Sequence, residues 1–299
     1  MLSQIRLGTR GSPLALKQAE HVKTLLQSHH PDLLIDTVTI TTKGDTDKTT
    51  PLYQLGGKGI FIKELEAALL RHEIDIAVHS LKDVTSRLDN GLCLAGFLKA
   101  ESVHDVLVLR EGLSSLEDLK SNSRIATGSM RRKALVKRWR PDIEVVDIRG
   151  NVETRLRKLE EDAIQGVILS EAGLIRLHLE HRVSYRFDPW RFYPAPGQGV
   201  ITLEIREEDA FSRRMCQLMT DSFQEKLSRT QLAFLEKVGF DCRVPLGFHI
   251  ECVGDQIKMG VFVSDTHFQH VFEEQLTCFP DDAENQAREL GERCQKRFK

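Results

Sequence analysis

The stretch IDIAVHSLKDV, residues 74–84, decides the fold. Its apolar run near 74–80 is continuous where a half-exposed strand would alternate, so it reads as a strand buried on both faces of a largely parallel sheet. The run breaks at His79-Ser80-Leu81-Lys82-Asp83, where hydroxyl, cation and carboxylate replace apolar side chains. Ligands of open α/β sheets bind beyond the carboxyl ends of the strands, so this break marks both an edge of the core and a place for chemistry.

Towards the N-terminus, IFIKELEAALLRH near 60–72 has helical periodicity and LIDTVTIT near 34–41 reads as a strand. A strand at 5–10 precedes a helix that Ser12 caps, with Pro13 in its first turn and Ala15, Leu16, Ala19, Val22, Leu25 and Leu26 on its apolar face. Between these units, TKGDTDKTTPLYQLGGKG at 42–59 is polar and longer than a minimal connection; it reads as a lid over 43–59, or as a surface excursion.

Towards the C-terminus the pattern restarts with DVLVLR from residue 105, a helix near 114–121, SRIATGS, a helix ending before Pro141, IEVVDIRG, a helix near 151–164, and GVILS. The strand VITLEIR at 200–206 follows the turn PAPGQG and is placed to return to the first sheet, so that two crossovers join two lobes. Helical stretches near 207–237 lead to FHIECV, IKMGVFVS and HVFEEQLTCF, which read as antiparallel strands, and to a polar helix at about 281–298. The expected organisation is a first α/β lobe of residues 1–100 with 200–217, a second of 101–199, and a C-terminal α+β domain of 218–299.

Composition narrows the function. The chain has 299 residues, 40% hydrophobic and 29% charged, as in a globular protein of more than one domain. A net charge of −2 supplies no global field for nucleic acid or an anionic membrane, so neither is expected as a partner. The opening MLSQIRLGTRGSP lacks a signal-peptide core and no later apolar run spans a bilayer, which points to the cytoplasm. Six cysteines lie scattered with no C-x-x-C pair, so free thiols and no metal site are expected.

The residues after the strands share a theme: Arg10 and Ser12; Ser80, Lys82 and Asp83; Thr127, Ser129, Arg131 and Arg132; Arg149, Gly150 and Asn151; and Ser170. Several open helices, whose free N–H groups favour anions. Arginine grips carboxylate through paired hydrogen bonds, so Arg10, Arg131, Arg132, Arg149 and Arg155 together imply a ligand with several carboxylates, although any one of them alone reads as a solvated surface residue. Asp83 stands out as a carboxylate in a cationic rim, either a helix cap or an anion set to stabilise a cationic intermediate and move protons. His79 reads as structural.

In order, GTRGSPLAL at 8–16, GGKGIFIKELE at 56–66, HSLKDV at 79–84, IATGSMRR at 125–132, DIRGNVETRL at 147–156, PAPGQG at 194–199 and CRVPLG at 242–247 resemble the motifs of porphobilinogen deaminases. The resemblance spans roughly residues 4–250. It implies two lobes of the periplasmic-binding-protein type (type II), with the active site between them, plus a small C-terminal α+β domain. It also implies that Cys242 holds a covalent dipyrromethane, that Asp83 is catalytic, and that Lys58 sits in the lid. Arg10, Ser12, Lys82, Thr127, Ser129, Arg131, Arg132, Arg149, Arg155 and Arg176 would bind cofactor or substrate carboxylates, joined at the site by Ser80, Gly150, Asn151, Ser170 and Gln198. The implied activity is hydroxymethylbilane synthesis from porphobilinogen, in tetrapyrrole and haem biosynthesis, by a cytoplasmic monomer.

Departures fall near this site. Phe240 and Asp241 precede Cys242 where the family usually has two glycines, Gly128 stands where serine is common, Gln54 where lysine is common, and Gln231-Leu232 replaces a Glu-Arg pair. They leave two alternatives: a degenerate paralogue, or a binding-protein-like module that holds an organic polyanion without turnover.

Overall fold

The computed structural model describes residues 4–42, 44, 59, 61–85, 87–239 and 244–298. Gln54, Lys58, most of the segment 43–59, and Phe240, Asp241 and Cys242 lie outside the described residues.

The apolar runs assemble into two five-stranded sheets built to one plan, and a three-stranded sheet follows them. In the first, β1 (Gln4–Arg10) lies between β2 (Leu34–Ile40) and β3 (Ile76–Ser80), both parallel to it. There β10 (Ile201–Arg206) runs antiparallel between β3 and β4 (Leu92–Phe97). In the second, β6 (Arg124–Ala126) lies between β7 (Glu144–Val146) and β8 (Gly166–Ser170), both parallel to it. The antiparallel position is taken by β5 (Asp105–Leu109), between β8 and the two-residue β9 (Tyr185–Arg186). Each sheet is therefore largely parallel, as the apolar runs suggested, with one strand running against the other four. The odd strand of each lobe is the one the chain enters from the other lobe, over 98–104 into β5 and over 187–200 into β10.

Helices α1 (Pro13–His29) and α6 (Ala210–Met219) cover one face of the first sheet, where Val22, Leu26 and Cys216 pack on Ile5, Leu7, Val78 and Leu203. Helix α2 (Lys63–Leu70) covers the other through Leu65 and Leu69 against Ile74 and Ala77. Two-sided burial explains the unbroken hydrophobicity of these strands. The second sheet is enclosed likewise by α3 (Met130–Trp139) on one face and α4 (Val152–Glu161) with α5 (Glu171–Arg176) on the other. In the C-terminal domain α7 (Ser222–Val238) and α8 (Ala283–Phe298) cover the antiparallel β11 (Leu246–Val253), β12 (Gln256–Ser264) and β13 (Val271–Cys278). These are two α/β lobes of matching strand order, joined by two crossovers, with a small C-terminal α+β domain.

The helix expected near 114–121 is only a 3-10 turn, Leu116–Asp118. The Asp118 carboxylate accepts the N–H groups of Ser114 and Ser115 at 2.7 and 2.9 Å, and this local capture replaces a longer helix.

The two crossovers run side by side. Leu98 N–H donates to the Ile201 carbonyl and Glu101 N–H to that of Gly199. Gly199 has φ +89°, and a Cβ there would stand 2.2 Å from the Ser102 carbonyl oxygen, so glycine is what lets the crossovers touch.

Candidate active site

The rim of the first lobe is built from two strand ends. At the end of β1, the Arg10 guanidinium carbon lies 3.9 Å from the Phe61 ring centroid, a cation–π distance. Ser12 caps α1, accepting the Ala15 N–H at 3.3 Å. At the end of β3, Ser80 Oγ accepts from Gln18 Nε2 at 2.8 Å, tying the strand to α1. The chain then turns through the 3-10 segment Leu81–Asp83, and Leu81 N–H donates to the Val200 carbonyl. The PAPGQG turn packs beneath it: a Cβ on Gly197 would lie 3.0 Å from Lys82 N. Burial lowers the Lys82 ammonium to about 8; Asp83 opposes this, and Arg132 and Arg131 add to it.

The facing rim belongs to the second lobe. Thr127, buried at the end of β6, accepts the Ser129 N–H at 3.3 Å, and Ser129 caps α3 through Arg132 N–H. Asn151 caps α4, accepting the Thr154 N–H at 2.8 Å, and Arg155 Nε donates to the Gly150 carbonyl at 2.8 Å. Burial pushes the Arg155 guanidinium down to about 10, and Arg132 and Arg149 lower it further. Lys82 thus feels Arg131 and Arg132 together with the carboxylates Asp83 and Asp105, and Arg155 feels Arg132 and Arg149, so that Arg132 links the two groups. Cations destabilise one another at such range, and added anions relieve that repulsion.

The start of α1 reaches the second lobe. Beside Gly173 of α5, a Cβ would meet Leu14 at 3.6 Å and Val152 at 3.9 Å, so the first turns of α1 and α4 converge there. Ser170, at the head of α5, faces Asp105 across the β5–β8 ladder. Arg176 Nη2 donates to the Gly199 carbonyl at 2.5 Å in the crossover, beside Gln198; burial lowers its pKa and Glu101 opposes this. Gln198 is buried, and its Nε2 donates to the Val103 carbonyl at 2.7 Å and to Asp105 at 3.0 Å.

Three further residues shape the site: Asp105 and Glu204, which the sequence does not single out, and Gln231, marked there only as a departure from the family motif. Asp105 receives both Arg131, at 2.6 Å, and Arg132, at 2.7 Å. The only trace of it in the sequence is a charge heading the apolar run DVLVL. Gln231 of α7 accepts the Gly197 N–H at 2.7 Å, bringing the C-terminal domain against the turn under Lys82. Glu204 of β10 meets His79 Nε2 at 2.8 Å, both buried, which gives His79 a partner in the core behind the rim. At Gly128 a Cβ would stand 2.9 Å from the Ile148 carbonyl, so a serine there would require the backbone to shift.

A cavity of about 430 Å³ opens between the lobe and α7, lined by Ile62, Glu66, Thr85, Arg87, Glu236 and Gly239. Among the described residues no cluster of His, Cys, Asp and Glu could hold a metal ion, and no helix is long and apolar enough to cross a membrane.

Residues 5–214 match the family model described as porphobilinogen deaminase, dipyromethane cofactor binding domain. A porphobilinogen deaminase of Syntrophomonas wolfei is 40% identical over 290 residues, covering 97% of this chain and 94% of that protein. One of Clostridioides difficile is 38% identical over 287 residues, covering 96% and 94%. Among solved structures, the methionine-binding protein MetQ aligns with 77% of this chain and 95% of its own, at 14% identity and a TM-score of 0.47.

Proposed function

Because the chain belongs to the porphobilinogen deaminase family, we propose that Asp83 is its catalytic carboxylate, that Cys242 carries its dipyrromethane, and that the cations facing Asp83 hold ligand carboxylates. The enzyme is a transferase, a hydroxymethylbilane synthase: porphobilinogen molecules condense head to tail with loss of ammonia on a covalently bound dipyrromethane primer, and water then frees hydroxymethylbilane. When bound, the dipyrromethane supplies the electron-rich pyrrole carbon at which the first new carbon–carbon bond forms.

The residues present fit such a group. Lys82, Arg131, Arg132, Arg149 and Arg155 outnumber the carboxylates beside them, as a ligand that brings its own acids requires. Gln198 Oε1 is a buried acceptor without a donor among the described residues, suited to an N–H. Thr85, just past Asp83, and Gly239, just before Cys242, line one cavity, which supports a tether reaching the rim.

Each porphobilinogen carries an acetate and a propionate, and the arginines bind and orient these arms. Departure of ammonia from the protonated aminomethyl group leaves a methylene cation conjugated with the pyrrole. Asp83 stabilises that cation and accepts hydrogen bonds from pyrrole N–H groups. It also takes up the proton released when the new bond forms, since Asp105 is held by two arginines and a glutamine. A monomer in the cytoplasm is part of the same reading, and sedimentation of the purified chain tests the oligomeric state.

The observation that carries the reading is the approach of Arg131 and Arg132, in the first turn of α3, to the turn that bears Lys82 and Asp83, with Arg155 and Arg149 grouped around Arg132. Asp83→Asn is expected to bind porphobilinogen with little change while turnover falls by about a hundredfold or more. Turnover near that of the parent would remove Asp83 from the mechanism.

A further inference from the structure

Asp105 is the first residue of β5, and its side chain has no exposed surface. A buried carboxylate persists only where its oxygens are fully matched. Here Oδ2 accepts from Arg131 Nη1 at 2.6 Å, while Oδ1 accepts from Arg132 Nε and Nη2 at 3.0 and 2.7 Å and from Gln198 Nε2 at 3.0 Å. Arg131 Nη1 also reaches the Tyr193 carbonyl at 2.6 Å, and Arg132 Nη1 the Ile168 carbonyl at 3.0 Å. The backbone of Asp105 accepts the Phe187 N–H, at the start of the second crossover, while the residue itself ends the first. One carboxylate thus joins both crossovers to the first turn of α3.

We propose that Asp105 is a positioning residue for carboxylate recognition, fixing Arg131, Arg132 and the Gln198 amide at the pivot between the lobes. The inference rests on the reading of the cleft as a polycarboxylate site. Its two guanidinium groups repel each other and Lys82, and the shared anion holds them in one arrangement before a ligand arrives. Because Gln198 Nε2 serves Val103 and Asp105, the amide cannot flip, and Oε1 stays an acceptor. A ligand that engages these arginines therefore acts on a group anchored in both crossovers, so occupancy and the relative placement of the lobes are linked.

The test compares the holoenzyme with Asp105→Asn, Asp105→Glu and Asp75→Asn. Asp75 is a matched control: it pairs with Arg6 and Arg206 at the opposite end of β3 from Lys82. Steady-state kinetics with porphobilinogen and thermal-shift titration with trimesate, an unreactive tricarboxylate, are measured for each. Asp105→Asn is expected to raise KM about tenfold or more with kcat changed by less than about threefold, and to weaken trimesate binding similarly. Asp105→Glu keeps the charge but displaces it, so it should melt near the parent and still show raised KM; it decides the matter if the asparagine variant does not fold. Asp75→Asn should lose stability with KM unchanged. Parental KM and trimesate affinity in both Asp105 variants, or an equal KM shift in Asp75→Asn, would overturn the proposal. If the parent binds trimesate but leaves porphobilinogen unreacted, the deaminase reading falls, while the trimesate comparison still decides the role of Asp105.

Discussion

Lys82 sits between opposed influences. Burial lowers its ammonium to about 8, Asp83 works against this, and the facing arginines work with it. Between about 8 and the ordinary value of 10.5 the unfolded chain holds more protons at this residue than the folded one, so this residue's contribution to stability rises with pH across that window. Ligand binding runs the opposite way, because carboxylates favour the charged form that disappears above about pH 8. KM for porphobilinogen is therefore expected to rise between about pH 7 and about pH 9, and Lys82→Arg to flatten that rise, since guanidinium stays charged throughout. Kinetic pH profiles of both proteins check this; the same alkaline limb in Lys82→Arg would assign the limb to another group. Asp105 has the same sign in a far more acidic window. Its two arginines hold its pKa well below the usual carboxylate range despite burial, so its stabilisation is complete above about pH 4 and fades only in stronger acid. The melting difference between parent and Asp105→Asn should accordingly be full at pH 7 and shrink as acid approaches pH 2.

At the scale of elements, α7 ties the C-terminal domain to the crossover turn. Gln231 stands where the family usually has glutamate, and it still presents an oxygen to the Gly197 N–H at 2.7 Å. Leu232, in place of arginine, packs with Leu81, Val84, Phe97 and Val200 beneath the turn that bears Asp83. Gln231→Leu would leave a buried N–H without an acceptor, at a cost of about 1–3 kcal/mol, and should lower Tm by several degrees, whereas Gln231→Glu should not. Thermal unfolding of the two variants reads this directly, and parental melting of Gln231→Leu would contradict it. Elements with strong patterning were legible in advance: β3 and β8 are continuous apolar runs because both faces are covered, and α1 announces itself through Ser12 and Pro13. Those lacking a pattern were not. The two residues of β9 are exposed, and the serines before Asp118 stop a helix that composition alone would extend.

Across the whole molecule the two lobes share one plan, and the chain exchanges a strand between them, which places the cleft beside both crossovers. Arg10, Lys82 and Arg149 of the cationic rim could be singled out in the sequence because each lies at or just after a recognisable strand end. Asp105 could not, because its partners Arg131, Arg132 and Gln198 lie far along the chain and only the crossovers bring them to it. Glu204 was hidden for the same reason, since it meets His79 only through the return of β10. The account as a whole stands on a cation-lined cleft serving an oligopyrrole attached to the protein by sulfur. The most direct measurement is the intact mass of the purified chain, before and after addition of porphobilinogen, with Cys242→Ser alongside. The account predicts a parent heavier than its sequence by one dipyrromethane, further species separated by single pyrrole units on addition of substrate, and an unmodified Cys242→Ser. A parent with the bare mass of its sequence in both samples would contradict it.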